Sequence, residues 1–313
     1  MATFLVALLA VGVLLLIAAP GYILMKKKML SEACIPGFSK VLLFVCQPCL
    51  AVFTFGKLEF SWKLFGDLGI FAALIILVHA LMLGGSFLVL REKSSEAIYR
   101  IITIGTTFGN CAFFGIPVIE ALLPETASSL IAYTTVYAVV MNVLGWTVGS
   151  AIISHDTKYI SVKKIFLNPA MLGMAAALIV FFSGITFPKE IANMIEYTAR
   201  MATPLSMIVM GMRLGTMDMK KVFTDARVYI TIAVKQFLMP LLAFSIVMLL
   251  PSLDLGLRQT FFITCACPIA SIVLNFSEIV GEGQEAGANL VLVSTICSII
   301  TLPIMMFLFP LIA

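Results

Sequence analysis

Two stretches interrupt an otherwise apolar chain: "GNCAFFGIP" at residues 109–117 and "CACPIASIVLNFSEIVG" at 265–281. Proline removes a backbone donor and clashes with the preceding turn, and glycine frees the backbone further. In hydrocarbon an unpaired amide or carbonyl costs several kcal/mol, so such a break belongs in a protein interior or beside a wet cavity. The chemistry open to it is anion recognition, because the N-termini of half-helices present free amides and the positive end of a dipole. Asn110 adds two donors and one acceptor. The candidate binding residues are therefore Gly109, Asn110, Cys111, Gly115 and Pro117 on the first stretch, and Pro268, Ala270, Ser271 and Asn275 on the second. Taken singly, each proline reads equally as a kink, and Asn110 as a helix–helix hydrogen bond of ~0.6 kcal/mol.

Four ionisable residues lie in or beside apolar runs. Lys235, in "ITIAVKQFLMP", sits about nine residues into its run, roughly 12 Å deep. A cation at that depth either attracts or pairs with an anion or snorkels to the surface. His79 has a loosely corresponding place in the first half. It reads as a proton carrier near neutral pH or as a neutral packed ring. Glu120 follows Pro117 by one turn, and Glu278 follows Pro268 by ten residues. They are a proton or cation site at each end of the paired breaks, or solvated helix ends. Arg213 in "GMRLG" reads as an interfacial anchor. "CQPC" at 46–49 has the spacing of a redox or metal pair, although small apolar residues pack between helices in the same way. With only His79 and His155 in the chain, and neither near a cysteine, no metal site or cofactor is expected.

The elements that position these residues are membrane helices. Of 313 residues 61% are hydrophobic and 12% charged, and the mean hydropathy is +1.12. A soluble domain carries about twice that charged fraction. The apolar runs are continuous, which argues against a membrane barrel, whose strands alternate. Reading runs against charged breaks predicts an all-α membrane protein with ten spans, at about 3–25, 35–56, 67–90, 99–122, 128–153, 167–187, 191–214, 227–250, 256–279 and 287–311. The first run lacks a basic start and is followed by Lys26, Lys27 and Lys28, so it reads as a retained span.

Loops after odd-numbered spans hold fourteen basic residues, from Lys26 through Arg213 and Arg227, against five on the other side: Lys57, Lys63, Lys189, Arg200 and Arg258. The basic side is expected in the cytoplasm, with both termini outside. Pro48 and Pro204 are 156 residues apart, and Pro117 and Pro268 are 151 apart. Five spans per half is an odd number, so residues 157–313 are expected to insert upside down relative to 1–156. Two inverted five-helix repeats are a common construction of secondary transporters.

With these features in place, "GNCAFFGIP" resembles the GN-x-x-[FY]-x-GIP signature of the auxin efflux carrier family, whose bacterial and archaeal members are often called malate or malonate permeases. "LLFVCQPCLAVF", "MNVLGWTVG", "FLNPAMLGMAAAL", "TPLSMIVMGMRLG" and "NLVLVSTICSIITLPI" are similar to further pieces of that family in the same order, over almost the whole chain. The resemblance implies ten spans in two inverted repeats, with broken spans four and nine crossing at their prolines. It implies a scaffold of spans 1, 2, 6 and 7, a mobile transport domain of spans 3–5 and 8–10, an elevator-like movement, and a homodimer through the scaffold. It carries Asn110, Pro117 and Pro268 over as site residues. Ser271 stands where the family often has asparagine, with Asn275 one turn further on.

The function expected is a secondary active carrier of a small organic anion, a carboxylate or an auxin-like acid, in the plasma membrane, coupled to H+ or Na+. A uniporter or channel-like facilitator is the alternative. A membrane-embedded enzyme would need a catalytic set such as HExxH or GxSxG, and neither occurs. Nothing points to a nucleic-acid partner; the partners expected are the substrate and the lipid bilayer.

Overall fold

The computed structural model describes residues 2–154, 167, 169–217 and 223–312. The expected boundary between halves at 156/157, the loop residues Lys158, Lys163, Lys164, Lys220 and Lys221, and Asn168 lie outside the described residues. Within them the chain is helical and contains no β-strand. Six helices are long and apolar enough to cross a membrane: α1 (Ala2–Lys26), α2 (Glu32–Phe55), α3 (Trp62–Lys93), α6 (Ser129–Ser154), α10 (Ala226–Leu249) and α13 (Gln284–Met305). Between them lie α4 (Ala97–Gly105), α5 (Cys111–Leu122), α7 (Pro169–Ser183), α8 (Lys189–Arg200), α9 (Ala202–Thr216), α11 (Leu255–Ala266) and α12 (Ile272–Val280).

The apolar run expected over 191–214 is divided. "KEIANMIEYTAR" of α8 is too polar for hydrocarbon, and α9 begins after a turn at Met201. Pro204 falls in the first turn of α9, where its missing donor has no acceptor to lose.

Three other prolines show how a proline stays inside a helix. Pro48, Pro117 and Pro240 each follow by two residues a five-residue π-helical turn: Leu42–Cys46, Cys111–Gly115 and Val234–Leu238. Widening the helix just before the proline relieves the clash with the carbonyl four residues back. Pro117 therefore does not break its helix. The breaks are at 106–110 and 267–271.

Two pairings dominate the packing: α1 lies along α9 and α2 along α7, and α1 also meets α5 and α13. A Cβ at Gly21 would run into the Ile208 carbonyl oxygen, and one at Gly211 into that of Ala18. Small residues at that crossing let the two backbones touch, which is how membrane helices gain dispersion energy without a hydrophobic driving force. Helices α3, α6 and α11 share a core in which the Phe71 ring meets that of Tyr133 at a tilt and that of Phe261 edge-on. Buried Arg100 ties α4, the end of α6 and the segment after α12 together at one end. Its Nε donates to the Ile153 carbonyl at 2.7 Å, its Nη1 donates to the Ser94 and Ser95 carbonyls, and its Nη2 pairs with Glu282. At the same end Asp225 caps α10, and the Arg227 guanidinium beside it holds the Asp225 carboxyl below the usual carboxylate range.

Candidate functional site

The two unwound segments meet. Gly109 and Ile269 form an antiparallel bridge. The Asn110 amide donates to the Pro268 carbonyl at 2.7 Å, and the Ala270 amide donates to the Phe108 carbonyl at 2.9 Å. The Ile269 amide donates to Ser294 Oγ at 3.1 Å. Backbone freed from each broken helix is thus satisfied by the other break and by α13, as the low dielectric requires. The crossing lies at Gly109 and Ile269, eight residues before Pro117 and one after Pro268, not at both prolines as expected. The π turn explains why: Pro117 is accommodated inside α5, so the chain unwinds ahead of it.

This arrangement also changes what the site offers. The Asn110, Ile269 and Ala270 amides are already engaged. What remains to face a solute is chiefly polar side chains, because the first-turn amides of Cys111 and Val273 also donate, to the Gly109 and Ala270 carbonyls. They border a cavity of about 240 Å³ between the crossing, α2, α6 and the start of α7. Asn110, Cys111, Ala270, Ser271 and Asn275 of the expected set line it, with Gln47, Asn142 and Trp146. Its walls carry no charged side chain among the described residues. Asn142 and Trp146 belong to the quoted "MNVLGWTVG", and Gln47 to "CQPC"; nothing in their types alone marked them. Cys46, inside the π turn of α2, is buried and Cys49 half-buried, each a free thiol.

The other expected residues lie elsewhere. Gly109 is in the bridge itself, Pro268 is buried beside it, and Gly115 packs toward Cys267. Pro117 and Glu120 border a separate hollow with Thr203 and α1. A third hollow between α1, α9 and α13 is lined almost wholly by apolar groups and holds no chemistry.

Lys235 is fully buried behind the crossing. The π turn Val234–Leu238 turns both Lys235 and Gln236 inward. Lys235 Nζ donates to the carbonyls of Cys265 at 2.9 Å and Cys267 at 3.0 Å. A cation suits those atoms, since they end α11 and carry the negative pole of its dipole. Lys235 therefore neither snorkels nor lines the cavity, and it has no ion-pair partner among the described residues. Gln236 Nε2 donates to the Ser294 carbonyl, and its Oε1 accepts from Thr301. His79 Nδ1 lies 2.8 Å from the Ile75 carbonyl, and its ring meets Tyr137 at 5.2 Å between centroids. His79 Nε2 and the Tyr137 hydroxyl have no hydrogen-bond partner among the described residues. Glu278, at the far end of α12, pairs with Arg213 of α9, Nη1 to Oε1 at 2.7 Å.

Comparison with known proteins points to a membrane transport family. The profile of the family described as "Membrane transport protein" matches residues 6–164 and again 157–306. A protein of Rhizobium meliloti (strain 1021) described as "Putative malonate transporter" is 24% identical over 146 residues, an alignment covering 47% of this chain and 45% of that protein.

Proposed function

This chain belongs to the membrane transport protein family of auxin efflux carriers, and from that premise we propose that it is a secondary carrier for a small organic anion, bound in the cavity beside the crossing of α4–α5 with α11–α12. The observation that carries the reading is the reciprocal bridge at Gly109 and Ile269 next to a largely apolar cavity edged by the polar groups of Gln47, Asn110, Ser271 and Asn275. Backbone unwound at membrane depth has a substrate site as its usual reason. The partial similarity to a protein named for malonate makes a small dicarboxylate the first substrate to try.

The topology we assign is ten spans in two inverted repeats. Each broken pair, α4 with α5 and α11 with α12, counts as one span, and α8 with α9 as another. One observation supports it: the packing pairs exchange under the proposed symmetry, α1 with α9 and α2 with α7. The set α1, α2, α7, α8 and α9 then serves as scaffold, and the remaining helices move against it as an elevator, in the plasma membrane with the basic loops inside.

Counterflow in proteoliposomes with malonate, malate, succinate, lactate and indole-3-acetic acid tests the reading. Trans-stimulation by the substrate is expected for a carrier, and its absence would indicate a channel. Asn110→Ala removes the carboxamide and is expected to lower transport about ten-fold, the effect of losing a hydrogen bond worth ~1.4 kcal/mol to a charged ligand. An unchanged rate and half-saturation would remove Asn110 from the site. For coupling we assign the proton, because the Lys235 ammonium already holds the half-helix carbonyls that bind sodium in other transporters. Replacing sodium by choline should leave uptake unaltered; a loss of uptake would defeat that assignment.

A further inference from the structure

We infer that Arg213 is the countercharge for the transported carboxylate and that Glu278 is the group the carboxylate displaces from it, an inference that rests on the anion-carrier reading above. The larger cavity has polar donors but no cation to neutralise an anion. Lys235 is turned away from it and engaged with two carbonyls. A smaller cavity of about 60 Å³ adjoins the larger one and shares Ser271 and Asn275 with it, and Arg213 lines it. Ser271, Asn275 and Glu278 recur at i, i+4 and i+7, so they stand on one face of α12. A polar path therefore runs from Asn110 past Ser271 and Asn275 to Arg213, about 10 Å along the helix axis.

The ion pair is built for exchange. One guanidinium nitrogen reaches one carboxylate oxygen, which leaves most of the five donors of arginine for another acceptor. The Glu278 side chain is 43% exposed and that of Arg213 is 22% exposed. Glu278 is thus open enough to turn away from Arg213 without displacing other groups, while Arg213 stays against the cavity wall. Among the described residues this is the ion pair that joins α9 to an arm of the crossing; the others are Arg100–Glu282, Arg200–Glu196 and Arg227–Asp225. A substrate carboxylate that takes the place of Glu278 neutralises itself and at the same step releases α12 from α9. Binding is thereby linked to the movement of one set of helices past the other.

The test is competition measured at equilibrium and in transport. Trp146 lines the larger cavity and meets Phe276 of α12 edge-on, and Trp62 is the only other tryptophan. In a Trp62→Phe background, Trp146 emission is titrated with the C3 dicarboxylate, and counterflow of the same acid is measured in liposomes. Arg213→Gln should raise the half-saturating concentration about ten-fold or more, and Arg213→Lys by less. Glu278→Gln removes the competitor and should lower it about three-fold. The double variant should behave like Arg213→Gln alone. Equal shifts in one direction from Arg213→Gln and Glu278→Gln would reduce the pair to a structural pin and overturn the inference, as would an Arg213→Gln protein with unchanged affinity that elutes as a monodisperse species. Wild-type protein that neither responds to nor exchanges any acid tested would defeat the carrier reading, and this inference with it.

Discussion

Lys235→Met is expected to abolish exchange of substrate in liposomes while the protein still inserts and folds. Methionine fills most of the volume of lysine and removes the cost of burying an ammonium, which is several kcal/mol. It also leaves the carbonyls of Cys265 and Cys267 without a donor in a dry interior, at ~1–3 kcal/mol each. These terms oppose one another, so the melting temperature is expected to fall by only a few degrees. Function is expected to suffer more. One Nζ holds two carbonyls on either side of the point where α11 ends, which sets the angle at which the unwound segment leaves the helix. With that tie gone, Ile269 and the Asn110–Pro268 contact lose their fixed spacing. A drop of at least ten-fold in exchange is the expected reading, since an ångström of misplacement at a binding site is enough for that. Arginine should not rescue it, because a planar fork does not fit where a compact ammonium reaches both carbonyls. Wild-type exchange in Lys235→Met would show that the buried cation is dispensable.

The second large effect is expected at Gly109, for reasons of space. A Cβ there would lie 3.1 Å from the Tyr137 hydroxyl and 3.2 Å from Lys235 Nζ. Neither neighbour can step aside freely: the tyrosine is rigid and fully buried, and the lysine is held by its two carbonyls. Gly109→Ala is expected to shift these groups by a few tenths of an ångström and to retain partial transport. Gly109→Val adds two more methyl groups in a closed space, with an overpacking cost of ~1–3 kcal/mol. The strain falls on the bridge to Ile269, so transport should be lost and melting should come earlier. The check is a graded series, glycine above alanine above valine, in both exchange rate and Trp146 emission. If valine were tolerated as well as alanine, the close approach would not be a requirement of the working protein.

Several elements of this architecture were legible in the residue order. Continuous apolar runs require helices across a membrane, since every backbone group there must be satisfied internally. Gly109 and Asn110 in one such run and Pro268 in the other marked where the helices would unwind. Of the nine residues expected at a site, Asn110, Cys111, Ala270, Ser271 and Asn275 line the cavity, while Gly109, Gly115, Pro117 and Pro268 do not. The proline pattern was misleading in one respect. Pro117 and Pro268 look equivalent in sequence, yet one is absorbed by a π turn and the other lies in the unwound segment. A proline specifies only that one donor is missing. Whether the helix widens or opens depends on what its neighbours supply to the freed carbonyls, and that is not local information.

The ionisable residues divide in the same way. Their depth in the apolar runs was readable from residue order, and it set Lys235 apart as costly to bury. Where each side chain points was decided by packing. The π turn rotates Lys235 toward the end of α11 and away from the cavity, and Arg213, which read as an interfacial anchor, meets Glu278 from a helix 65 positions away. Sequence alone therefore determined that the chain is a bundle of membrane helices with two interruptions, because hydrophobic length and backbone hydrogen bonding are properties of each segment by itself. Tertiary structure alone decided that the interruptions satisfy one another at Gly109 and Ile269, and that Arg213 rather than Lys235 lines the smaller neighbouring cavity, because a hydrogen bond or an ion pair between distant segments exists only once both are in place.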